Sequence, residues 1–547
     1  MSDEGRTTRT TRTGGAAIVE ALEAHGVEVV FGIPGTHNLE IYRGLARSPA
    51  ITHVTPRHEQ GAGYAADGYA RATGRPGVCV TTSGPGLANI CAAAATAQAD
   101  SVPLLIVAPG VPRGMEGRDV GLLHEVNDQL GMMGAILDVA VRAGSAEEAV
   151  AAIGAAFAGW RAGRRRPVYV EVPVDVLAAP WAGEAPVDAA LPVVAAPSPE
   201  PGALERAIAA LAGARRPAVL LGAGARGAEE VARTVIEHLG APTVTTVNAK
   251  WMLPESHPLS VGASLRLEPA RRLLEEADVV LIVGSRVGDA ESWDVAPEPA
   301  GTVIRIDLDA RAENKNVRSD VFLHGAAEAV LGALARGLAE ARAAGSEADG
   351  GLARAATARA ASLATALQDG GPWRAVNDAL RAALPADTIV AGDSAQVSYY
   401  GTAHLWPMER PGRFLYPPNF ATLGYGLPAA IGAQIGCPGR PVLVLVGDGG
   451  FLFSAAELMT AVERRLPLAI VVMNNHGYAE IRDGMVGLGF PPLAVDLETP
   501  DFAALSVACG GHGVRVEDLS QVGALAAEAL TRDRPTVIEV DLGPSTR

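Results

Sequence analysis

The residues best placed to do chemistry in this 547-residue chain lie between Pro441 and Met485. An apolar run, Val442–Val446, ends at Gly447-Asp448-Gly449, and a second, Leu468–Met473, ends at Asn474-Asn475. An apolar-periodic segment, Ser454–Arg465, separates them. The pattern predicts a β-α-β unit whose two parallel strands end side by side. Ligands in such sheets gather beyond the carboxyl ends of the strands. Asp448 offers a hard carboxylate oxygen there and Asn475 an amide oxygen, a pair suited to Mg²⁺ or Ca²⁺ completed by phosphate and water. The flanking glycines let backbone approach a diphosphate.

Such a unit needs a sheet on either side of it, and the chain is long enough for three or four domains of about 100–200 residues. Gly and Ala are abundant and aromatics make up 4%, which suits close-packed α/β layers. A net charge of −16 argues against a nucleic-acid partner. Arg164-Arg165-Arg166 runs straight into the strand-like PVYVEV and reads as a solvated turn. Cys79, Cys91, Cys437 and Cys509 have no paired spacing and read as reduced core residues of a cytoplasmic protein. The N-terminal stretch has no apolar core of a secretory signal, and no apolar run of about 18 residues predicts a membrane span.

Read in order, residues 1–14 form a polar tail, expected to be disordered, and 15–178 a first α/β domain. Its strands end at Ile33-Pro34-Gly35-Thr36-His37-Asn38, at Arg57-His58-Glu59-Gln60 and at Ser83-Gly84-Pro85-Gly86. Pro- and Ala-rich residues 179–203 read as a linker, and 204–330 as a central α/β domain. Gly222-Ala-Gly224-Ala-Arg-Gly227 follows a strand there, but the next strand, TVTTVNA, carries none of the acid that a dinucleotide site wants about 20 residues on. The glycines therefore read as turn and packing. Residues 331–371 form a second, Ala-rich linker, helical in pattern, and 372–547 a third α/β domain containing the opening stretch. The expected fold is three doubly wound, parallel-sheet α/β domains.

Gly-Asp-Gly, the gap that follows it and the closing Asn-Asn resemble the cofactor motif of thiamine diphosphate enzymes. The likeness extends over the whole chain through RHEQGAGYAADGYARATGRPGV, GPGLANI, RPVYVEVPVDV and GYGLPAAIGA, which are similar to the acetolactate synthase and 2-oxo acid decarboxylase branch. Thiamine diphosphate and Mg²⁺ are the implied cofactors. The resemblance makes the first domain pyrimidine-binding and the third diphosphate-binding. Glu59 matches the carboxyl that bonds N1′ of the aminopyrimidine, a role favoured by partial desolvation. Asp448, Asn475 and the Gly477 carbonyl match the metal ligands. Ser394 and Gln396 match positions that hold the diphosphate, and Gly447, Gly449, Gly450 and Tyr478 complete the cofactor-binding set. Leu423 stands where the branch places an apolar side chain under the cofactor's bend. Family resemblance also implies a homodimer or homotetramer with active sites between subunits.

The pocket positions separate the reactions within the branch. Acetolactate synthases carry an apolar residue at Glu480, Trp at Gly484 and Gln at His124, and this chain departs at all three. Their structural FAD is put in doubt as well, because Ser285-Arg286-Val287-Gly288-Asp289 replaces the usual Arg-Phe-Asp-Asp stretch. Pyruvate decarboxylases have two adjacent His at His124-Glu125, and their pocket Glu aligns with Ile481. His124 is a candidate proton donor after CO₂ leaves, since imidazole titrates near neutrality, and His37, beside Thr36, is a second. A carboxylate at Glu480 is costly to bury without a cation, and a guanidinium pairs with it bidentately. Together with LHE, NxxGYxEIR and GDSxQ, this resembles 5-guanidino-2-oxopentanoate decarboxylases. The expected activity is non-oxidative decarboxylation of a 2-oxo acid to an aldehyde. Carboligation of two 2-oxo acids, as in acetolactate synthase, is the alternative.

Overall fold

The computed structural model describes residues 12–183, 197–293, 295–341 and 350–543. The expected polar tail up to residue 11, residues 184–196 of the first linker and 342–349 of the second lie outside them. Contacts divide the chain into two compact units at Val194/Ala195, with Arg71–Gly74 grouped with the second.

The first unit is built on β1 (Val29–Gly32), β2 (Thr52–Val54), β3 (Gly77–Val80), β4 (Leu104–Gly110), β5 (Val139–Arg142) and β6 (Val168–Pro173). They form one parallel sheet in the order β2-β1-β3-β4-β6-β5. Every residue of β3, β4 and β6 is buried, as a sheet covered on both faces requires. Helices Gly14–Ala24 and Ala146–Ala162 close one face, packing Ile18, Leu22, Ile153 and Phe157 against Leu105, Val107 and Val170. Ser145 Oγ caps the second helix by accepting from Glu148 N at 3.2 Å, a bond worth about 1 kcal/mol. The crossovers reverse direction between β1 and β3, so the loops after these strands flank the crevice where doubly wound sheets bind ligands.

The second unit holds two sheets. One contains β7 (Pro217–Leu221), β8 (Thr243–Thr245), β9 (Ser260–Gly262), β10 (Val279–Val283), β11 (Thr302–Asp307) and β12 (Val321–His324). The other contains β13 (Ile389–Gly392), β14 (Phe414–Leu415), β15 (Val442–Gly447), β16 (Leu468–Asn474), β17 (His512–Arg515) and β18 (Thr536–Asp541). The orders are β12-β11-β10-β7-β8-β9 and β14-β13-β15-β16-β18-β17, all pairs parallel. Renumbered from its own first strand, the last sheet has the order of the first, 2-1-3-4-6-5. No sequence repeat accompanies this likeness. The segment expected as a helix over Ser454–Arg465 is helical over Glu457–Glu463, and a separate helix, Asp448–Ser454, precedes it, beginning at the Gly-Asp-Gly turn itself.

The central sheet has the order of dinucleotide-binding folds, yet its glycine turn is packed shut. A Cβ on Gly224 would lie 2.8 Å from Gly284 Cα, and one on Gly284, where φ is +60°, 2.4 Å from the Gly224 carbonyl carbon. The turn continues as a 3₁₀ segment, Ala223–Ala225, and the next helix begins only at Glu229. Glu229 Oε1 accepts from Gly227 N at 3.0 Å, placing a carboxylate where a pyrophosphate would need free donors. Gly222 and Gly224 serve packing, and Gly227, at φ +90° with open space around it, serves the turn. Gly284→Ala combines a left-handed φ with a backbone clash and is expected to lower unfolding stability by about 2–4 kcal/mol. A denaturant midpoint unchanged from wild type would contradict that close approach.

The helical stretch inside the expected second linker has its own packing role. Gly351–Ala383 is a 33-residue helix that buries Ala355, Ala358, Trp373, Val376 and Leu380. Among the described residues no helix is long and apolar enough to cross a membrane.

Candidate functional site

In the first unit the switch-point loops bring three predicted residues into two groups. Glu59 opens the helix Glu59–Thr73 directly after β2 and is 8% exposed. Asn89 Nδ2 donates to its Oε2 at 2.9 Å, and a Cβ on Gly86 would lie 3.1 Å from its Oε1. The first turns of the helix Pro85–Asp100 after β3 thus cover a nearly buried carboxyl at a helix N-terminus. His37 lies on the 3₁₀ turn Thr36–Asn38 after β1. Its Nδ1 is 2.6 Å from Ser83 Oγ, which is 3.3 Å from His124 Nδ1. The two rings meet edge to face at 5.1 Å. Burial, then the proximity of His124, holds the His37 imidazole below its ordinary pKa, which favours a neutral ring. Among the described residues neither ring's Nε2 has a protein partner. Thr36, by contrast, is exposed.

A part-buried network holds the His124 segment. Gln129 Oε1 accepts from Gly84 N at 2.8 Å, while its Nε2 donates to Glu171 Oε2 at 3.0 Å and Tyr169 Oη at 3.0 Å. Glu171 also pairs with Arg142, whose other nitrogen donates to Val111 O at 2.8 Å. Glu125 accepts from Gly121 N at 2.7 Å and Leu122 N at 2.9 Å, so it closes the turn before His124. Gly84, at φ +55°, is required here, because a Cβ would lie 2.4 Å from the His124 carbonyl oxygen.

In the second unit the loops after β13, β15 and β16 carry the other predicted residues. Asp448 is 1% exposed and accepts from Gly477 N at 2.8 Å. Burial pushes its carboxyl above the ordinary range, the response of an acid lacking a counter-charge. The Asn475 amide places one heteroatom 2.9 Å from the Gly477 carbonyl oxygen and 3.2 Å from Asp448 Oδ1. With oxygen in that position, three oxygens converge with no hydrogen between them, a donor set for a hard cation. Asn474, its neighbour, turns away to Thr499 and Glu539. Among the described residues no cluster of three His, Cys, Asp or Glu exists to hold a metal, so a cation here relies on this mixed oxygen set.

Ser394 Oγ is buried without a partner, as a hydroxyl awaiting a phosphate oxygen would be. Gly449 lies against the half-buried Tyr478 ring, and Gly450 against Asp393. Leu423 is half-buried and Gly447 lies at the end of β15. The oxygen set, the orphan hydroxyl and the close-packed glycines all fit a diphosphate with its cation. Gln396 is oriented differently from the expectation of a diphosphate ligand, for its Nε2 donates to Glu480 Oε2 at 2.9 Å. Tyr400 Oη donates to Glu480 Oε1 at 2.9 Å. The arginine nearest in sequence, Arg482, pairs with Asp496. No Lys or Arg among the described residues pairs with Glu480. Ile481 points outward and is 55% exposed.

Several contacts were not legible beforehand. Asp393 is fully buried, accepts from Ser394, Gly424 and Gly426 backbone N–H groups, and is pushed up by burial to about 6. Ser83, Asn89, Gln129 and Tyr400 were likewise missed. The adjacent pair Tyr399-Tyr400, in a chain with few aromatics, was the one available signal.

Comparison with known proteins agrees with this geometry. Residues 12–132 match the thiamine pyrophosphate enzyme N-terminal TPP binding domain, 204–334 the central domain and 393–540 the C-terminal TPP binding domain. The chain is 42% identical to a probable 2-ketoarginine decarboxylase of Pseudomonas aeruginosa, over 97% of this chain and 94% of that one. It is 32% identical to a probable acetolactate synthase large subunit of Methanocaldococcus jannaschii, over 97% and 92%. With the acetolactate synthase isozyme 1 large subunit of Escherichia coli it shares 34% identity over 87% and 84%. With three parallel sheets matched by the three domain models, and with near-complete coverage of such relatives, the chain belongs to the thiamine pyrophosphate enzyme family.

Proposed function

We propose that this protein catalyses non-oxidative decarboxylation of a 2-oxo acid whose tail is cationic, a guanidino group above all, to the corresponding aldehyde. The observation that carries the substrate class is Glu480, a carboxylate whose partners are the neutral amide of Gln396 and the neutral phenols of Tyr400 and Tyr399. A half-buried charge with only neutral donors lacks a counter-ion that a guanidinium would supply. The similarity to a probable 2-ketoarginine decarboxylase supports the same reading.

Bound thiamine diphosphate supplies the electron sink that accepts the bonding pair left when CO₂ departs. Glu59 would hold a hydrogen bond at the aminopyrimidine N1′, and Asn89, which donates to its Oε2, orients its carboxyl. Asp448, Asn475 and the Gly477 carbonyl would hold Mg²⁺, Ser394 would take a phosphate oxygen, and Gly447, Gly449 and Gly450 would admit the diphosphate beside Tyr478. Leu423 would offer an apolar contact to the cofactor. His124, with His37 linked to it through Ser83 Oγ, delivers a proton from Nε2 after CO₂ is lost. Glu480 binds the tail, with Thr36 and Ile481 at the pocket's edge. The active form is a homodimer or homotetramer in which the Glu59 half of one subunit meets the Asp448 half of another.

A screen of 2-oxo acids with guanidino, acidic, aromatic and aliphatic tails tests this reading, with the guanidino acid expected to give the highest kcat/KM. Dominant acetolactate formation from pyruvate would replace it with carboligation. Asp448→Ala is expected to weaken thiamine diphosphate binding, measured calorimetrically at fixed Mg²⁺, by more than about 100-fold, since removal of an outer-shell partner alone costs about 10–100-fold in metal affinity. Unaltered affinity would remove Asp448 from the metal site.

A further inference from the structure

The partners of Glu480 extend well beyond the loop that carries it. Tyr399 and Tyr400 lie on a one-turn π-helix, Val397–Thr402, in which Ala403 N donates five residues back to Ser398 O. Such wide turns re-phase side chains and cluster at functional sites. Both phenols turn towards Glu480, and burial, followed by the Glu480 charge, pushes both up from the ordinary phenol range. They remain protonated donors. Thr402 Oγ1 donates to Asn377 Oδ1 at 2.8 Å, and Asn377 Nδ2 to Trp373 O at 2.8 Å, pinning the turn to the helix Gly351–Ala383. The buried Lys250 Nζ donates to Ala403 O at 2.9 Å and pairs with Glu255 at 2.7 Å.

Residues of the central sheet's loops also cover the Tyr400 ring. Trp293 packs against it at 5.4 Å. The Arg266 guanidinium lies 4.4 Å from the Trp293 ring centroid and 5.4 Å from that of Tyr400. Its Nε donates to His404 Nε2 at 2.5 Å and its Nη1 lies 3.6 Å from Asp369. Arginine stacked on two rings is held by cation–π attraction as well as by its charge partner. The π-turn is therefore braced from three sides.

We propose that Tyr400 is a positioning residue for substrate selection. Its hydroxyl fixes the Glu480 carboxylate in the orientation that takes the cationic tail, and the Trp293–Arg266 stack fixes the hydroxyl. This rests on the guanidino-acid reading of Glu480 and adds that selectivity is set partly by central-domain residues remote from the cofactor motif.

The test compares holoenzyme of wild type, Tyr400→Phe and Trp293→Ala on 5-guanidino-2-oxopentanoate and 2-oxohexanoate. Binding of 5-guanidinopentanoate, which keeps the tail without the keto group, is followed by calorimetry. Tyr400→Phe keeps the ring under Arg266 and removes only the hydroxyl. It is expected to lower the guanidino-to-aliphatic kcat/KM ratio about 10- to 100-fold through KM, the size expected for one hydrogen bond to a charged group. Affinity for 5-guanidinopentanoate should fall by the same factor. Trp293→Ala should move both readouts in the same direction. Equal losses on both substrates, or an unmoved ratio in Tyr400→Phe, would overturn the positioning role while leaving the guanidino reading intact. A wild-type enzyme without preference for the guanidino acid would overturn that reading, and the proposal with it.

Discussion

Replacing Glu59 by Gln is expected to lower kcat by about 10²–10⁴-fold, the usual weight of a positioned acid–base group, with thiamine diphosphate still binding. Gln keeps the volume and one acceptor beside Asn89 Nδ2, which now donates at 2.9 Å. What it loses is the proton exchange of a carboxyl that is 8% exposed. Binding should persist because the set proposed for the diphosphate and its cation, Asp448, Asn475 and Ser394, is a different one. Calorimetry of cofactor binding beside steady-state turnover separates the two effects; full turnover in the variant would end the assignment. The same variant tests assembly. If Glu59 of one subunit serves Asp448 of another, mixing inactive Glu59→Gln with inactive Asp448→Ala under subunit exchange makes one site in each mixed dimer wholly wild type. Half of randomly re-formed dimers are mixed, so about a quarter of wild-type activity should return. No recovery after verified exchange would place both halves in one subunit.

Glu480→Gln is expected to reverse selectivity. For a guanidino acid it removes a charge-assisted, bidentate partner from a half-buried site, a loss of about 2–3 kcal/mol or roughly 30- to 150-fold in kcat/KM. For an aliphatic 2-oxo acid the effect has the opposite sign. Wild type must then bury the Glu480 charge against an apolar tail with only neutral donors, Gln396, Tyr400 and Tyr399, around it, and neutralising the side chain relieves that penalty. The aliphatic kcat/KM should hold or rise. A matched fall on both substrates would mean that Glu480 acts on the reaction common to them and leaves the tail unread.

The buried strands were legible because burial on both faces leaves its own pattern. β15 and β16 are continuous apolar runs, and their ends located Asp448 and Asn475. Of the edge strands β2 was legible, but β5, β14 and β17 were not. β5 alternates exposed and half-buried residues, β14 has two residues, and β17 reads His-Gly-Val-Arg; none buries enough apolar surface to stand out from a loop. The Ser454–Arg465 periodicity gave a helix in the right place but hid the break that starts a separate helix at Asp448. The glycines of the central turn had the right spacing for a nucleotide, and only the approach of Gly284 shows that backbone fills that space.

By itself the sequence determined the chemistry-bearing groups and the family: a carboxyl after one strand, an acid and an amide after two others, and an unusual Glu480. These depend on residue type and local spacing, which a linear pattern preserves. The tertiary structure decided which groups meet. Gln396 and Tyr400 reach Glu480 across 84 and 80 residues, and Ser83 joins two histidines from separate loops. Such pairings arise where strand order reverses and loops distant in the chain are brought together, and a hydrogen bond between them leaves no periodicity to be read.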